Sequence, residues 1–291
     1  MEYQVKKTRE GEIAMGLRIA TNIQALAAQR SFSTNFRLQN QSLERLASGQ
    51  RINRSGDDAA GLAISEKLKS NIRSLRQASR NANDGISMIQ TAEGAINEIS
   101  NIMVRLRELS IQGASDTIGD AERSYIDKEV QNLKAEVDRI SETTEFNGRK
   151  LINGEGENLE IQVGINNNPI NDRLTFSPQE QNINLKALNL SEVATMTKQD
   201  AQKNLEQIDA AINKISENRS GLGALQNRLQ STINNLGYYT ENLEAAKSRI
   251  LDTDMATETS ELVKQNILSQ ANISVLGQAN NNSQLALKLI G

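Results

Sequence analysis

Few residues of this chain have the types and spacing that chemistry requires. Asp57 and Asp58 are adjacent carboxylates, which is one pattern for a general acid–base pair. The 291 residues include no His and no Cys, which removes the usual base near neutral pH, thiolate chemistry and most zinc sites. We therefore interpret Asp57 or Asp58 as a helix cap, because a carboxylate there accepts backbone N–H groups at the positive end of a helix.

Two other motifs match ligand sites only in part. Asp252-Thr253-Asp254 with Glu258 has some features of a calcium loop but lacks the turn glycine and the distant bidentate glutamate. Gly221-Leu222-Gly223 lies inside a helical pattern with no strand before it, which argues against a phosphate-binding loop. We expect no metal, no cofactor and no enzymatic activity.

The composition favours slender helical layers over a thick globular core. Only 3% of the residues are aromatic, and Leu, Ile, Val and Ala supply the apolar surface instead. The net charge of −3 gives no indication of a nucleic-acid partner. No stretch has the apolar length of a membrane span or of a secretory signal, so membrane insertion and a cleaved signal peptide are not expected.

Two apolar seams at coiled-coil spacing lie in opposite halves of the chain. The first advances in alternating steps of four and three residues through Leu68, Ile72, Leu75, Ser79, Ala82, Ile86 and Ile89. The second includes Leu205, Ile208, Ile212, Ile215, Leu222, Leu225, Leu229, Ile233 and Leu236. A seam that repeats every 3.5 residues must face a partner helix, and each seam is the natural partner of the other. We predict a mostly α fold, an elongated rod of long antiparallel helices in a coiled-coil-like bundle.

A shorter helix and a small β region complete the middle of the chain. The helix has its own seam, at Ile126, Val130, Leu133, Val137 and Ile140. Asn147-Gly148 follows it and is the strongest short turn signal. Leu159–Val163 alternates at period two and Leu174–Phe176 is a second short strand, so a β-hairpin is expected within about 146–190. Helical periodicity returns after Ser191 and lasts to about Ile250.

Both ends of the chain are less regular. Residues 1–14 form a mixed-charge leader without periodicity, which we expect to be disordered or a non-native start. The flanking terminal segments have apolar residues at helical but ragged spacing, and such amphipathic helices are stable only beside a neighbour. The apolar residues proposed for such contacts are Ile19, Ile23, Leu26, Ile267, Leu268, Val275, Leu276, Leu285 and Leu287.

Several long motifs resemble those of bacterial flagellins, in the order that the family has them. The longest is LERLASGQRINRSGDDAAGLAIS at Leu43–Ser65. The others are Gln77–Ser87, Gln90–Ala95, Arg105–Leu109, Phe146–Gly148, Leu222–Leu229, Ser248–Asp254 and Ser274–Asn280. Together they span nearly everything from Met15 to the C-terminus, so the resemblance is specific.

The resemblance implies a subunit of the flagellar filament with two structural domains. Residues 15–57 and 252–291 would form a discontinuous inner coiled-coil domain with paired N- and C-terminal helices. Residues 58–251 would form the helical rod, with the strands on its outer side. Many flagellins insert large outer domains where this chain has only 149–190, so a short form is expected. The leader departs from the family, which normally starts near Met15.

The resemblance also implies partners and a location. Flagellins polymerise with other flagellin copies, including sister flagellins, and meet hook-associated junction and cap proteins. An export chaperone would mask the apolar C-terminal segment by binding it as a helix in a groove. The expected location is the bacterial flagellum, after secretion without a cleaved signal peptide.

One charged stretch has two interpretations. From the residues alone, Arg105, Arg107 and Glu108 form a solvated helix face with local ion pairs. In flagellins, this stretch packs between subunits and is recognised by an innate immune Toll-like receptor. Arg105, Leu109 and Glu129 match positions important for that recognition, with Leu109 as an apolar anchor.

The leading hypothesis is a flagellin that self-assembles head to tail into an open helical filament for swimming motility. A hook–filament junction protein is the alternative within the structural class, and the continuous match through Phe146 and Leu222 disfavours it. A cytoplasmic coiled-coil adaptor would explain the heptads but not the ragged apolar ends.

Overall fold

The computed structural model describes residues 21–290, and the side chains of 21–282. The leader and Ile19 lie outside the described residues, as do the side chains of Leu285 and Leu287. The helices of the described part are α1 (Ile23–Ser48), α2 (Ala59–Gly113), α3 (Asp120–Thr143), α4 (Lys198–Leu251) and α5 (Met255–Ile290). Its strands are β1 (Glu145–Phe146), β2 (Arg149–Lys150), β3 (Leu159–Gln162) and β4 (Arg173–Phe176).

The described residues fall into two compact units, and the mostly α fold is confirmed. Unit 1 contains the described residues up to Glu66 and from Lys247 onward. Unit 2 is Lys67–Ala246, which contains α3 and all four strands. The boundaries between the units lie inside α2 and α4, several residues from those expected at 57/58 and 251/252, which are close to the start of α2 and the end of α4.

Unit 2 is built on the two predicted seams. Every seam residue of α2 and α4 is buried or half-buried, and Ala82, Ile89, Ile208 and Leu229 have no exposed surface. The two helices run antiparallel, since early positions of α2 contact late positions of α4. The α3 seam joins the same core. The coiled-coil interpretation of the middle of the chain is therefore confirmed.

The β region contains two antiparallel hairpins. Asn147 and Gly148 have φ of 50° and 76° and form the turn between β1 and β2, as Asn-Gly predicts. The sequence did not predict β1 and β2, because each is only two residues long. The predicted hairpin of β3 and β4 is present, with Leu159 opposite Phe176 and Gln162 opposite Arg173.

The segment before α4 is irregular, so the prediction of helix directly after Ser191 was wrong. Residues 184–195, here called the strap, have apolar side chains in the core, including Leu188, Leu190 and Val193. A buried backbone without a helix or a sheet needs other hydrogen-bond partners. In unit 2 these partners are side chains of α3 and α4.

A polar stripe on α3 holds the strap by its backbone. Its members, Asp127, Gln131, Lys134 and Asp138, follow steps of four, three and four residues and so lie on one helix face. The two carboxylates accept from backbone N–H groups: Asp127 from Thr195 N (2.7 Å) and Asp138 from Leu185 N (3.4 Å). The other two side chains donate to backbone carbonyls: Gln131 to Val193 O (3.2 Å), and Lys134 to Ser191 O (2.9 Å) and Val193 O (2.8 Å). Helix α4 adds donors to Ala187 O from Lys214 (2.8 Å) and to Ala194 O from Asn204 (2.6 Å).

Candidate functional site

The terminal helices α1 and α5 pair antiparallel in unit 1, and polar side chains connect them along their length. The contacts are Asn22 Nδ2 with Ala279 O (2.9 Å), Gln39 with Asn266, and Arg45 with Glu258 (3.6 Å). Beyond the helix ends the backbone continues the pairing, as Arg51 N donates to Leu251 O and Thr253 N donates to Gly49 O.

The seam between α1 and α5 consists mostly of small or polar residues. On α5 the seam positions, all buried or half-buried, are Glu258, Leu262, Gln265, Ser269, Asn272, Leu276 and Ala279, and Glu261 and Asn266 beside them are half-buried too. On α1 the seam positions are Ala25, Ala28, Phe32, Asn35, Gln39, Ser42 and Leu46, followed by Gly49 at the C-cap, and Leu38, Gln41, Glu44 and Arg45 beside them are half-buried too. Both sets advance by alternating threes and fours, which is heptad spacing. The apolar residues of these helices are irregularly spaced, but their small and polar residues form a regular seam.

The apolar residues of unit 1 lie on the outside of the pair. Of the candidates, Leu276 is half-buried in the seam and the other described ones are exposed, at Ile23 (52%), Leu26 (49%), Ile267 (61%), Leu268 (40%) and Val275 (55%). Five further exposed apolar residues of α1 and α5 were not among the candidates, namely Phe36, Leu43, Met255, Val263 and Ile273. An exterior of this kind in water indicates an interaction surface. We call it the outer apolar face.

The carboxylates near the helix ends have separate structural roles. Asp58 caps α2 by accepting a hydrogen bond from Gly61 N (2.8 Å). Asp57 does not cap α2; it accepts from Asn53 N (3.2 Å) and Arg54 N (3.0 Å) and closes the turn before the helix. These bonds to the charged form lower the pKa of Asp57.

Asp254 belongs to a helix cap as well, which accounts for the partial calcium-loop motif. Its side chain accepts hydrogen bonds from Ala256 N (2.9 Å) and Thr257 N (3.3 Å) at the start of α5. The bond from Thr257 N, followed by that from Ala256 N, lowers the pKa of Asp254. The remaining carboxylate of the motif, Glu258, faces Arg45 instead of a common centre.

The lowered pKa of Asp254 predicts a local response to acid. A group whose pKa is lower in the folded state stabilises that state above its unfolded pKa, and the contribution is lost as pH falls through the folded value. In Asp254→Asn we therefore expect a smaller loss of α5 helicity as pH falls below 3.8, the ordinary aspartate value. Circular dichroism of the monomeric protein during acid titration measures the difference. Equal acid transitions in both proteins would contradict this role.

Three of the charged candidates, Arg105, Glu108 and Glu129, form one cluster on unit 2. The guanidinium of Arg105 donates to Glu129 Oε1 from Nε (3.0 Å) and Nη2 (2.8 Å), and to Glu108 Oε2 from Nη1 (3.1 Å). Glu129 first, then Glu108, raises the pKa of Arg105. Arg107 points to α4, where it donates to Asp209 (2.7 Å) and lowers the pKa of that carboxyl. The local ion pairs predicted from the residues are therefore present, and Arg105, Glu108 and Glu129 share one exposed surface.

Leu109 is not part of that surface. It is only 2% exposed and packs in the core of unit 2, so its expected place as an apolar surface anchor was wrong. The sequence contains a signal for this burial, because Leu109 follows the seam residue Leu106 by three positions and so lies on the same helix face. The exposed apolar residues of the stretch are Val104 (50%) and Ile111 (49%), on the helix face that contains Glu108.

Three other kinds of site are not formed by the described residues. No group of three or more His, Cys, Asp or Glu side chains is arranged there to hold a metal ion. No helix of the described part has the length and apolarity needed to cross a membrane. Gly221 and Gly223 lie inside α4, where an uninterrupted helix provides no phosphate-binding loop.

Comparisons with known proteins match both ends of the chain. The family model of the bacterial flagellin N-terminal helical region matches residues 19–157, and that of the C-terminal helical region matches residues 205–290. Flagellin from Halalkalibacterium halodurans is 44% identical over 92% of this chain and 98% of its own length. Flagellin from Bacillus subtilis is 43% identical over 94% of this chain and 100% of its own length.

A third relative is named for its place in the filament. The flagellar filament 31.3 kDa core protein of Treponema maltophilum is 38% identical over 92% of this chain and 98% of its own length. All three are structural proteins, and none of the comparisons favours a junction protein or an adaptor. The chain belongs to the bacterial flagellin family and is a structural subunit that assembles with other copies into the flagellar filament.

Proposed function

We propose that the α1–α5 pair of unit 1 is the part of the subunit that contacts other copies to form the inner coiled-coil layer of the filament. One observation carries this proposal. The seam of the pair is small and polar, while the outer apolar face is left in contact with water. A helix pair of this composition is completed only by neighbours that cover its exterior.

Covering the outer apolar face would contribute favourable free energy to assembly. Covering the remaining exposed half of a side chain such as Ile267 contributes about 1 kcal/mol, at about 25 cal/mol per Å² of apolar area. The outer apolar face has several such residues on each helix, so the contributions accumulate in every subunit. Contacts that join different surfaces of successive copies are heterologous, and they extend as an open helix when the rotation between copies does not close a ring.

Removal of α5 tests the proposal. Filaments are dissociated by heat to monomer, and the monomer is seeded with filament fragments. The full chain is expected to elongate the seeds. A chain ending at Asp254 is expected to leave them unchanged, since it lacks one half of the outer apolar face, while the helices of unit 2 keep their circular dichroism. Normal elongation by the shortened chain would overturn the proposal.

The same face supports proposals about the partners met before assembly. An export chaperone binds α5 as a helix in a groove and covers Ile267, Leu268 and Val275 until secretion, which occurs without a cleaved signal peptide. Hook-associated junction proteins and the cap protein contact the α1–α5 pair at the ends of the filament. The 40–61% exposure of these three side chains supports both proposals.

A further proposal concerns the charged cluster of unit 2. Arg105, Glu108 and Glu129, with Val104 and Ile111 beside them, form a surface for subunit packing and for recognition by an innate immune Toll-like receptor. Its support is the combination of a planar guanidinium with exposed apolar neighbours, a composition common at interaction hot spots. Leu109 contributes by holding α2 in the core and does not contact a partner.

A further inference from the structure

A charged pair lies in the seam of unit 1, between the end of α1 and the start of α5. Arg45 Nη1 lies 3.6 Å from Glu258 Oε2, and the two side chains are 28% and 11% exposed. Arg45 is in the last turn of α1 and Glu258 is in the first turn of α5. Each charge therefore lies at the helix end where the backbone dipole favours it.

This part of the seam is poorly suited to stability alone. Arg45 Nε and Glu258 Oε1 are buried without a hydrogen-bond partner, as is Oε1 of the neighbouring Gln265. Replacing a buried ion pair by apolar residues of similar volume is often neutral or stabilising, whereas removing one partner is strongly destabilising. Polar groups of this kind lower the stability of the helix pair but make incorrect helix pairings less stable still. A polar residue in a coiled-coil core specifies partner and register in the same way.

Filament assembly creates a need for such discrimination. If the proposed inner layer is correct, many copies of α1 and α5 lie side by side with apolar exteriors, and apolar contacts have little directional preference. A shifted register or a parallel pairing separates Arg45 from Glu258 and leaves each charge buried alone. Asp57 also attracts Arg45, but its carboxylate is occupied by the backbone of the preceding turn.

We propose that Arg45 and Glu258 are specificity-determining residues of assembly, through which α1 selects α5 of its own chain in the antiparallel register. The proposal rests on the inner-layer role of unit 1. It assigns to this pair the choice of partner and register, whereas the outer apolar face provides the affinity between subunits.

A charge exchange in the full chain tests this assignment. Arg45→Glu and Glu258→Arg are each expected to lower the rate of seeded elongation by about tenfold or more, because each places two like charges in the seam. The chain with both substitutions is expected to recover elongation, since the pair is restored with its polarity reversed. The unchanged chain serves as the reference, and its failure to elongate would count against the proposed function instead.

A mixture of the two single variants identifies the chain that supplies the partner. Each single variant provides the complement of the other, so pairing between chains would restore elongation in an equimolar mixture. Pairing within a chain predicts a mixture as slow as either variant alone. Recovery in the mixture, no recovery in the doubly substituted chain, or normal elongation by either single variant would overturn the proposal.

Discussion

Ile267→Asp is expected to stop filament elongation while the monomer stays folded. Ile267 is 61% exposed on α5, so a carboxylate there is solvated in the free subunit at little cost. In the assembled state, the same carboxylate would lie in an apolar contact between copies, where an unpaired charge is strongly disfavoured. Seeded elongation is expected to fall about a hundredfold, which corresponds to roughly 2.7 kcal/mol.

Gln270→Asp is the matched control for this substitution. Gln270 is also exposed on α5, and the change introduces the same charge without removing apolar surface. Elongation by this variant is expected to stay within a few-fold of the unchanged protein. Thermal unfolding of both monomers tests whether the fold is preserved. An Ile267→Asp chain that elongates as fast as the control would refute the role of the outer apolar face.

Lys134→Met is expected to give the largest loss of stability among single changes in the strap contacts. Lys134 is 7% exposed, and its ammonium donates to Ser191 O and Val193 O. Methionine fills similar space but leaves Ser191 O without this donor, while Val193 O keeps only the bond from Gln131, at a cost of about 2 kcal/mol. Urea unfolding of the monomer measures the loss as a lower midpoint with an unchanged slope.

Lys128→Met separates this effect from the removal of a charge on α3. Lys128 is exposed on the same helix, with its ammonium 5.6 Å from the centre of the Tyr125 ring. Its loss is expected to cost no more than about 1 kcal/mol. Equal destabilisation by the two substitutions would show that the carbonyl contacts of Lys134 contribute little to stability.

The parts of the fold that the sequence predicts are those held by large apolar residues. Leucine and isoleucine at heptad spacing identified α2, α3 and α4, because their burial provides most of the stability of a bundle. The α1–α5 seam has the same spacing, but positions such as Ser42, Asn272 and Gln265 contribute little apolar area. The large apolar residues of these helices lie mostly on the exposed face, so their positions in the sequence indicate that face and not the seam.

The strap shows a second limit of sequence patterns. Its Leu188, Leu190 and Val193 suggest ordinary core spacing, yet its backbone depends on side chains about 60 residues earlier, such as Asp127 and Lys134. Polar contacts of that separation leave no local periodic signal. Of the candidate residues, the charged cluster was predictable from helical spacing, whereas the place of Leu109 required knowledge of which α2 face is buried.

The strap contacts also bear on how this protein can vary. The stripe on α3 and the donors on α4 bind the carbonyls and N–H groups of the strap, which nearly every residue type supplies. Exposed side chains of the strap such as Glu192 are therefore expected to be exchangeable without loss of the attachment, whereas Asn189, with φ of 55°, occupies a conformation that favours Asn or Gly. The exposed chemistry of this segment can thus change at little cost to folding, while substitutions in the stripe itself are expected to destabilise unit 2.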